Sequence, residues 1–238
     1  MRLKLLLRNP NGRIVTFNYQ YRLAAFLKAS IMSLPFDQKI LGTNGYRFYT
    51  FSNLLTAEHT ISKRGIMFQE AEWYISSPNV DFIEDLRTMF QYDSEIWVGN
   101  TGLEISSIEL LPNGGIGTQR QLRTLSPLYV KGRSSTGKEK DLYPTVPGFY
   151  ENLKENLVSR YQEYHNQLPD DIYFEIVKIL DFKPKRIRMG GSYRRASMLK
   201  FIARGSSELM DFAYNAGLGQ KEAQGFGCIG LYENNGTN

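Results

Sequence analysis

Leu3, Leu5 and Leu7 alternate with Arg2, Lys4 and Leu6, a largely two-residue period that predicts a strand. Asn9-Pro-Asn-Gly12 is a turn cluster. Leu23, Phe26, Leu27, Ile31 and Leu34 then recur at helical spacing, so residues 19–33 read as an amphipathic helix that Pro35 ends. Aromatic-rich strands follow over 46–51 and 66–76. Pro78-Asn79 opens a second helix with Phe82, Leu86, Met89 and Phe90 on one face, and 103–111 reads as another strand. Strand, helix, strand, strand, helix, strand is the ferredoxin-like plan, an antiparallel sheet with two helices on one face.

Pro112-Asn-Gly-Gly-Ile-Gly-Thr118 is the best linker candidate. Beyond it the pattern recurs. Residues 122–130 predict a strand, 131–140 a polar hairpin or loop, and Phe149, Leu153, Leu157, Tyr161 and Tyr164 a helix. Residues 172–180, 186–189 and 193–203 are strand-like. Ser206 and Ser207 cap a last helix with Leu209, Phe212, Ala213 and Ala216 inward. A glycine-rich loop and a final strand over 228–232 follow. The expected class is therefore α+β: two tandem ferredoxin-like, RRM-like domains at 1–118 and 119–238, with no repeated sequence between them.

A length of 238 residues accommodates two small domains, and 42% hydrophobic with 22% charged residues describes a globular chain. Lys and Arg outnumber Asp and Glu by 29 to 24, for a net charge of +5, which permits a nucleic-acid partner without requiring one. Cys228 stands alone, which excludes an internal disulfide and a thiolate cluster; His59 and His165 are too few for a multi-histidine metal site. We expect no metal and no other cofactor. The apolar run before Arg8, Leu5-Leu-Leu7, is too short for a secretory core or a spanning helix, so we expect a cytoplasmic protein with no membrane partner.

Residues 217–230, Gly-Leu-Gly-Gln-Lys-Glu-Ala-Gln-Gly-Phe-Gly-Cys-Ile-Gly, concentrate the glycines. Gly225 to Gly230 formally matches the dinucleotide fingerprint, but a helix precedes it where the fingerprint needs a strand, and no long helix follows. Two physical readings stay open. Glycines that leave the backbone uncovered, with Lys221 beside them, suit the close approach of an anionic ligand; the same residues also suit a tight helix-to-strand connection. A second concentration is cationic: Lys183, Lys185, Arg186, Arg188, Arg194, Arg195, Lys200 and Arg204 crowd adjacent strands around Tyr193. Cations that track phosphates beside an aromatic that stacks on a base suit RNA, and an ordinary solvated strand edge carries the same residues.

Gly217-Leu-Gly219, a five-residue spacer containing Lys221, and Gly225-Phe-Gly227 resemble the signature of the CRISPR repeat-processing endoribonucleases of the RAMP superfamily. Phe182-Lys-Pro-Lys-Arg-Ile-Arg188, Leu125-Ser-Pro127, Tyr19-Gln-Tyr21 and Tyr49-Thr-Phe-Ser52 resemble further stretches of that family. The resemblance implies tandem ferredoxin-like domains and precursor CRISPR RNA as substrate, with Lys185, Arg186, Arg188, Arg194, Arg195, Lys200, Gly217, Gly219, Lys221, Gly225 and Gly227 binding it. It also implies metal-independent cleavage inside the repeat, in which a 2′-hydroxyl attacks its own phosphate and leaves a cyclic phosphate. A CRISPR effector complex and a second copy of the chain are further expected partners. Many relatives carry a histidine just after the first helix; Pro35-Phe-Asp-Gln-Lys-Ile-Leu41 has none. Lys28 stands where many have a tyrosine, and Arg47 where they have a lysine. Lys28, Lys39 and Arg47 are thus the candidate catalytic residues, or else solvated surface cations. Clustered cations depress a lysine pKa and would make Lys28 a workable base, while Arg47 suits stabilisation of the phosphorane. The missing histidine also leaves open a module that binds repeat RNA without cutting it.

Overall fold

The computed structural model of the chain describes residues 1–34, 40–112, 115–133, 136–189 and 191–232. In chain order the first half contains β1 (Arg2–Arg8), β2 (Val15–Thr16), α1 (Tyr19–Ser33), β3 (Thr50–Phe51), β4 (Thr60–Ile61), β5 (Gly65–Met67), β6 (Glu70–Ser76), α2 (Val80–Tyr92), β7 (Glu95–Val98) and β8 (Thr101–Leu111). The second half contains β9 (Gln119–Thr124), β10 (Val130–Arg133), β11 (Glu139–Leu142), α3 (Pro147–His165), β12 (Phe174–Met189), β13 (Ser192–Gly205), α4 (Ser207–Ala216) and β14 (Ile229–Leu231).

β1 lies inside a five-stranded sheet ordered β3-β6-β1-β8-β7, paired antiparallel to β6 and β8. Its alternation decides its orientation: Leu3, Leu5 and Leu7 are fully buried, in one core with Leu23 and Leu27 of α1 and Ile83 and Leu86 of α2. The second half has its own sheet, ordered β12-β13-β9-β14, packed on α3 and α4. Taken in chain order, the strands flanking the helices lie 2-3-1-4 in both sheets, the ferredoxin-like order. Both expected caps are in place. Asn79 accepts a bond from the Phe82 amide and Ser206 one from the Leu209 amide.

Several strands differ from the expectation, each for a packing reason. Only Thr50–Phe51 of the aromatic run over 46–51 is extended in the sheet. Phe48 turns instead into the second core, edge-on to Tyr164 at 5.0 Å. Residues 66–76 are divided between two sheets, since β5 pairs with β2 and β4 whereas β6 pairs with β1. The strand expected at 122–130 stops at Thr124, short of Pro127, and Val130 begins the β10–β11 hairpin. Residues 174–180 and 186–189 belong to the single strand β12, which begins two residues later than expected and in which Pro184 is tolerated because β12 is a sheet edge. The linker candidate is tied down at Ile116, a buried residue whose amide donates to Asp211 Oδ1 at 2.8 Å; Asn113 and Gly114 lie outside the described residues.

The halves are joined through buried polar groups. Arg2, 3% exposed, donates from Nη2 to the carbonyls of Tyr214 at 2.8 Å and Ile229 at 2.7 Å. Gln20 of α1 donates to the Gly225 carbonyl at 3.0 Å, and Thr50 Oγ1 to that of Phe226 at 2.9 Å. These bonds seat the glycine-rich loop of the second half against α1 and β3 of the first.

Candidate active site and RNA interface

Along α1, Tyr21, Ala25, Lys28 and Met32 recur at spacings of four, three and four, and all four are exposed. That stripe forms one wall of a cleft of about 830 Å³. The other walls are Gly45, Arg47 and Tyr49, the hairpin residues Met189, Ser192 and Arg194, and Lys221, Ala223 and Gln224 of the loop. The fold therefore brings Lys28, Arg47, Arg194 and Lys221 to one cavity from four distant segments.

Arg47 is half-buried; its Nη1 donates to the Tyr46 carbonyl at 2.7 Å, and its backbone bridges to Leu41. This holds a permanent charge at the cleft wall. Tyr49 is 5% exposed, and burial pushes its phenol up to about 12 against the opposing pull of Arg47. It is thus a hydroxyl donor across the physiological range. Lys221 moves the other way: partial burial first, then the nearby Arg194 and Lys131 charges, hold its ammonium below the usual lysine range. Lys39 lies outside the described residues. His59 is exposed and lines a separate pocket with Arg8, Phe68 and Glu70, its Nδ1 3.0 Å from Thr56 Oγ1. His165 stacks on Tyr161 at 4.2 Å.

The loop corrects one expectation. Gly217, Gly219, Gly225 and Gly227 all have positive φ, between 72° and 87°, as a glycine-rich turn requires. All four are buried, and their open sides are directed at protein and away from solvent. A Cβ on Gly227 would lie 1.9 Å from the Leu218 carbonyl oxygen, and one on Gly225 2.9 Å from the Phe51 ring. The amides of Leu218, Gln220, Gly225 and Gly227 donate to protein carbonyls. The backbone is thus no open cradle for a ligand at these glycines. They permit a compact knot whose outward product is Lys221, itself left-handed at φ 65°.

The knot is fastened by a buried ion pair that the sequence pattern does not reveal. Arg160, fully buried on α3, donates to the carbonyls of Ala216 at 2.6 Å and Gly217 at 3.0 Å. Its Nη1 also lies 2.7 Å from Oε1 of Glu222, the residue after Lys221. Burial pushes the Glu222 carboxyl up and Arg160 pulls it down.

Beside the cleft stands the β12–β13 hairpin. Lys185, Arg186, Arg188 and Arg195 are exposed on it, and Arg186 pairs with Arg195 across the ladder. Ile187 and Met189 pack instead against Tyr129 and Phe226, which docks the hairpin on the glycine loop. Lys200 is not part of this group. It pairs with Arg123 of β9, about 20 Å along the strand from Arg194 at ~3.3 Å per residue, with its ammonium 4.6 Å from the centre of the Tyr232 ring.

Residues 111–231 match the family described as CRISPR associated protein Cas6, C-terminal. Over 96% of its length the chain is 34% identical to the CRISPR-associated endoribonuclease Cas6 1 of Methanocaldococcus jannaschii, covering 92% of that protein. This chain belongs to the Cas6 family. Its structure is similar to that of a Cas6-related gene product from Pyrococcus furiosus, with a TM-score of 0.87 and 28% identity over 98% of this chain and 99% of the other. It is also similar to a RAMP protein described as binding different RNA substrates, with a TM-score of 0.85 and 30% identity over 98% of this chain and all of that one. Within the Cas6 fold, the family resemblance pointed to Lys28 and Arg47 as members of one cationic cluster, and the residue pattern to Arg194 and Lys221; neither reached the convergence of the two pairs on one cleft. Both missed Arg160 and Glu222 altogether: an arginine among the polar positions of a helix reads as a solvated charge until the fold buries it.

Proposed function

We propose that this Cas6 chain is a metal-independent endoribonuclease that binds precursor CRISPR RNA and cuts it inside the repeat. The observation that supports this reading best is the meeting of Lys28, Arg47, Arg194 and Lys221 around one cleft. In the proposed reaction Lys28, with the 2′-hydroxyl nucleotide laid along α1, accepts the 2′-proton. The 2′-oxygen forms a bond to the adjacent phosphorus, and the bond to the 5′-oxygen breaks. That oxygen leaves with a proton from water. The products are a 2′,3′-cyclic phosphate and a 5′-hydroxyl. Arg47 faces the charge that builds on the phosphorane, where a fixed cation in a partly desolvated cleft stabilises the transition state more than the ground state. Lys39, on the segment between α1 and Arg47, is proposed to add a third cation. Tyr49 donates a hydrogen bond to the same phosphate. Lys221 and Arg194 hold flanking phosphates, and Lys185, Arg186, Arg188, Arg195 and Lys200 track the rest of the strand. Gly217, Gly219, Gly225 and Gly227 serve RNA binding through the shape they give the loop. Residues 1–118 and 119–238 are proposed as the two domains, a division supported by two sheets with separate cores.

No three histidine, cysteine or carboxylate groups converge to hold a metal ion among the described residues. Cleavage of the cognate repeat RNA is therefore expected to persist in EDTA and to yield a 2′,3′-cyclic end, read by resistance of that end to phosphatase until acid opens the ring, and by mass. A strict requirement for magnesium or manganese would refute the mechanism. A second reading rests on the absence of any histidine from the described lining of the cleft: a module that binds repeat RNA and leaves it intact. Tight binding with no product in the same incubation would select it.

Lys221→Ala is expected to weaken repeat binding and to flatten its salt dependence by about 0.7 in the log–log slope, one phosphate contact on a single strand. The side chain points into the cleft while the backbone makes the knot, so the fold should persist. An unchanged slope in the folded variant would reduce Lys221 to a connector.

A further inference from the structure

A second pocket, of about 380 Å³, lies around the hairpin tip from the cleft, at the start of α1. Its volume is in the range of small-ligand sites. Thr16, Phe17, Asn18 and Gln20 line it from the first half, Arg64 from the β4–β5 turn, and Arg186, Ile187, Arg188 and Tyr193 from the hairpin. Arg188 and Tyr193, direct partners across the ladder, share a face and line this pocket, whereas the next pair, Met189 and Ser192, lines the cleft; Ile187 borders the pocket from the other face of the strand.

The chemistry of the lining is specific. Phe17 is 56% exposed and Tyr193 51%, so two large rings stand open at one pocket. The Arg186 guanidinium lies 4.1 Å from the centre of the Tyr193 ring, which makes a flat, cationic stacking platform. Arg64 and Arg188 add two more charges. None of the lining residues is acidic, and among the described residues none of the three arginine side chains has an ion pair or hydrogen bond. Three unneutralised guanidinium groups around exposed aromatic faces match a group that joins a planar ring to an anion. That group is a nucleotide.

We propose that this pocket is a stacking subsite for one unpaired nucleotide of the bound RNA, distinct from the cleft where the strand is cut. The base lies against Phe17 and Tyr193, and its phosphates meet Arg64, Arg186 and Arg188. A base in a duplex has no free face, so the RNA is single-stranded at this position, a few nucleotides along the strand from the cleft. The proposal rests on the reading of the chain as a repeat-RNA-binding protein and adds a position where that RNA is held by its base.

The test uses the full chain and repeat RNAs in which one nucleotide at a time is abasic. Base–aromatic stacking predicts that Phe17→Ala and Tyr193→Ala each lose about five- to a hundredfold in affinity. Tyr193→Phe and Phe17→Tyr, which keep a ring, are expected to bind as the wild type does. Both positions are more than half exposed, so thermal unfolding should be unchanged. One abasic position is expected to weaken the wild type at least as much as either alanine variant does and to cost the double variant Phe17→Ala with Tyr193→Ala nothing further. Wild-type affinity in the folded alanine variants, or losses that add to those of every abasic site, would overturn the subsite alone. A wild-type chain that does not bind repeat RNA would overturn the broader reading and the subsite together.

Discussion

Lys28→Ala and Arg47→Ala are each expected to slow single-turnover cleavage of repeat RNA by about 10²–10³-fold while changing its affinity far less. Both line the cleft, but their settings differ. Lys28 is exposed on α1 with small alanines on either side of it, free to reach a proton; Arg47 is half-buried and anchored to the Tyr46 carbonyl at 2.7 Å. A group that acts on the developing charge costs rate, and one that tracks a phosphate costs affinity. The comparison belongs at saturating protein, where lost affinity does not mimic lost chemistry. Arg47→Lys should recover only part of the rate, because an ammonium does not reproduce the planar donor fork. His59→Ala is expected to cost less than about tenfold, since His59 lines a different pocket. If His59→Ala abolishes cleavage while Lys28→Ala leaves it intact, the lysine assignment is wrong. If none of the three alters the rate, the binding-module reading is the better one.

Arg160→Met is expected to destabilise the protein by about 3–5 kcal/mol, the scale of an uncompensated buried charge. For a chain of this size that is a fall of roughly 6–20 °C in melting temperature. The substitution leaves Glu222 buried without its cation and takes the donors from the Ala216 and Gly217 carbonyls. The double variant Arg160→Met with Glu222→Leu should recover a large part of the loss, because it removes the stranded carboxylate along with its partner. Recovery by calorimetry, with RNA affinity still reduced, would separate the two roles of the pair: burial of charge, and the setting of Lys221. A single variant as stable as the wild type would show that the pair does not fasten the loop.

Much of the architecture was legible in the residues. The helix read over 19–33 is α1 with the same bounds, and the caps at Asn79 and Ser206 stand where their side chains were expected to act. Local chemistry suffices there, since apolar spacing, a capping oxygen and a stopping proline act within a few residues of one another. The glycine pattern likewise announced a loop between the last helix and the final strand, and all four of its signature glycines have positive φ. Strand limits were less legible. Whether Phe48 joins the first sheet or the second core, and whether Pro184 breaks a strand or lies on an edge, depends on neighbours far along the chain.

The candidate site divides in the same way. By itself the sequence determined the family resemblance, the cationic hairpin, Lys28, Lys39 and Arg47 as one candidate cationic cluster, and Arg194 and Lys221 as separate candidates. Only the tertiary structure decided that Lys28, Arg47, Arg194 and Lys221 share a cleft, that the glycines face protein, and that Arg160 and Glu222 are buried together. The physical reason is range. Propensity, capping and backbone freedom are written in neighbouring residues, whereas burial and the field around a charge come from whatever the fold brings alongside. Here that means placing residue 28 of one half on the same cleft as residue 221 of the other.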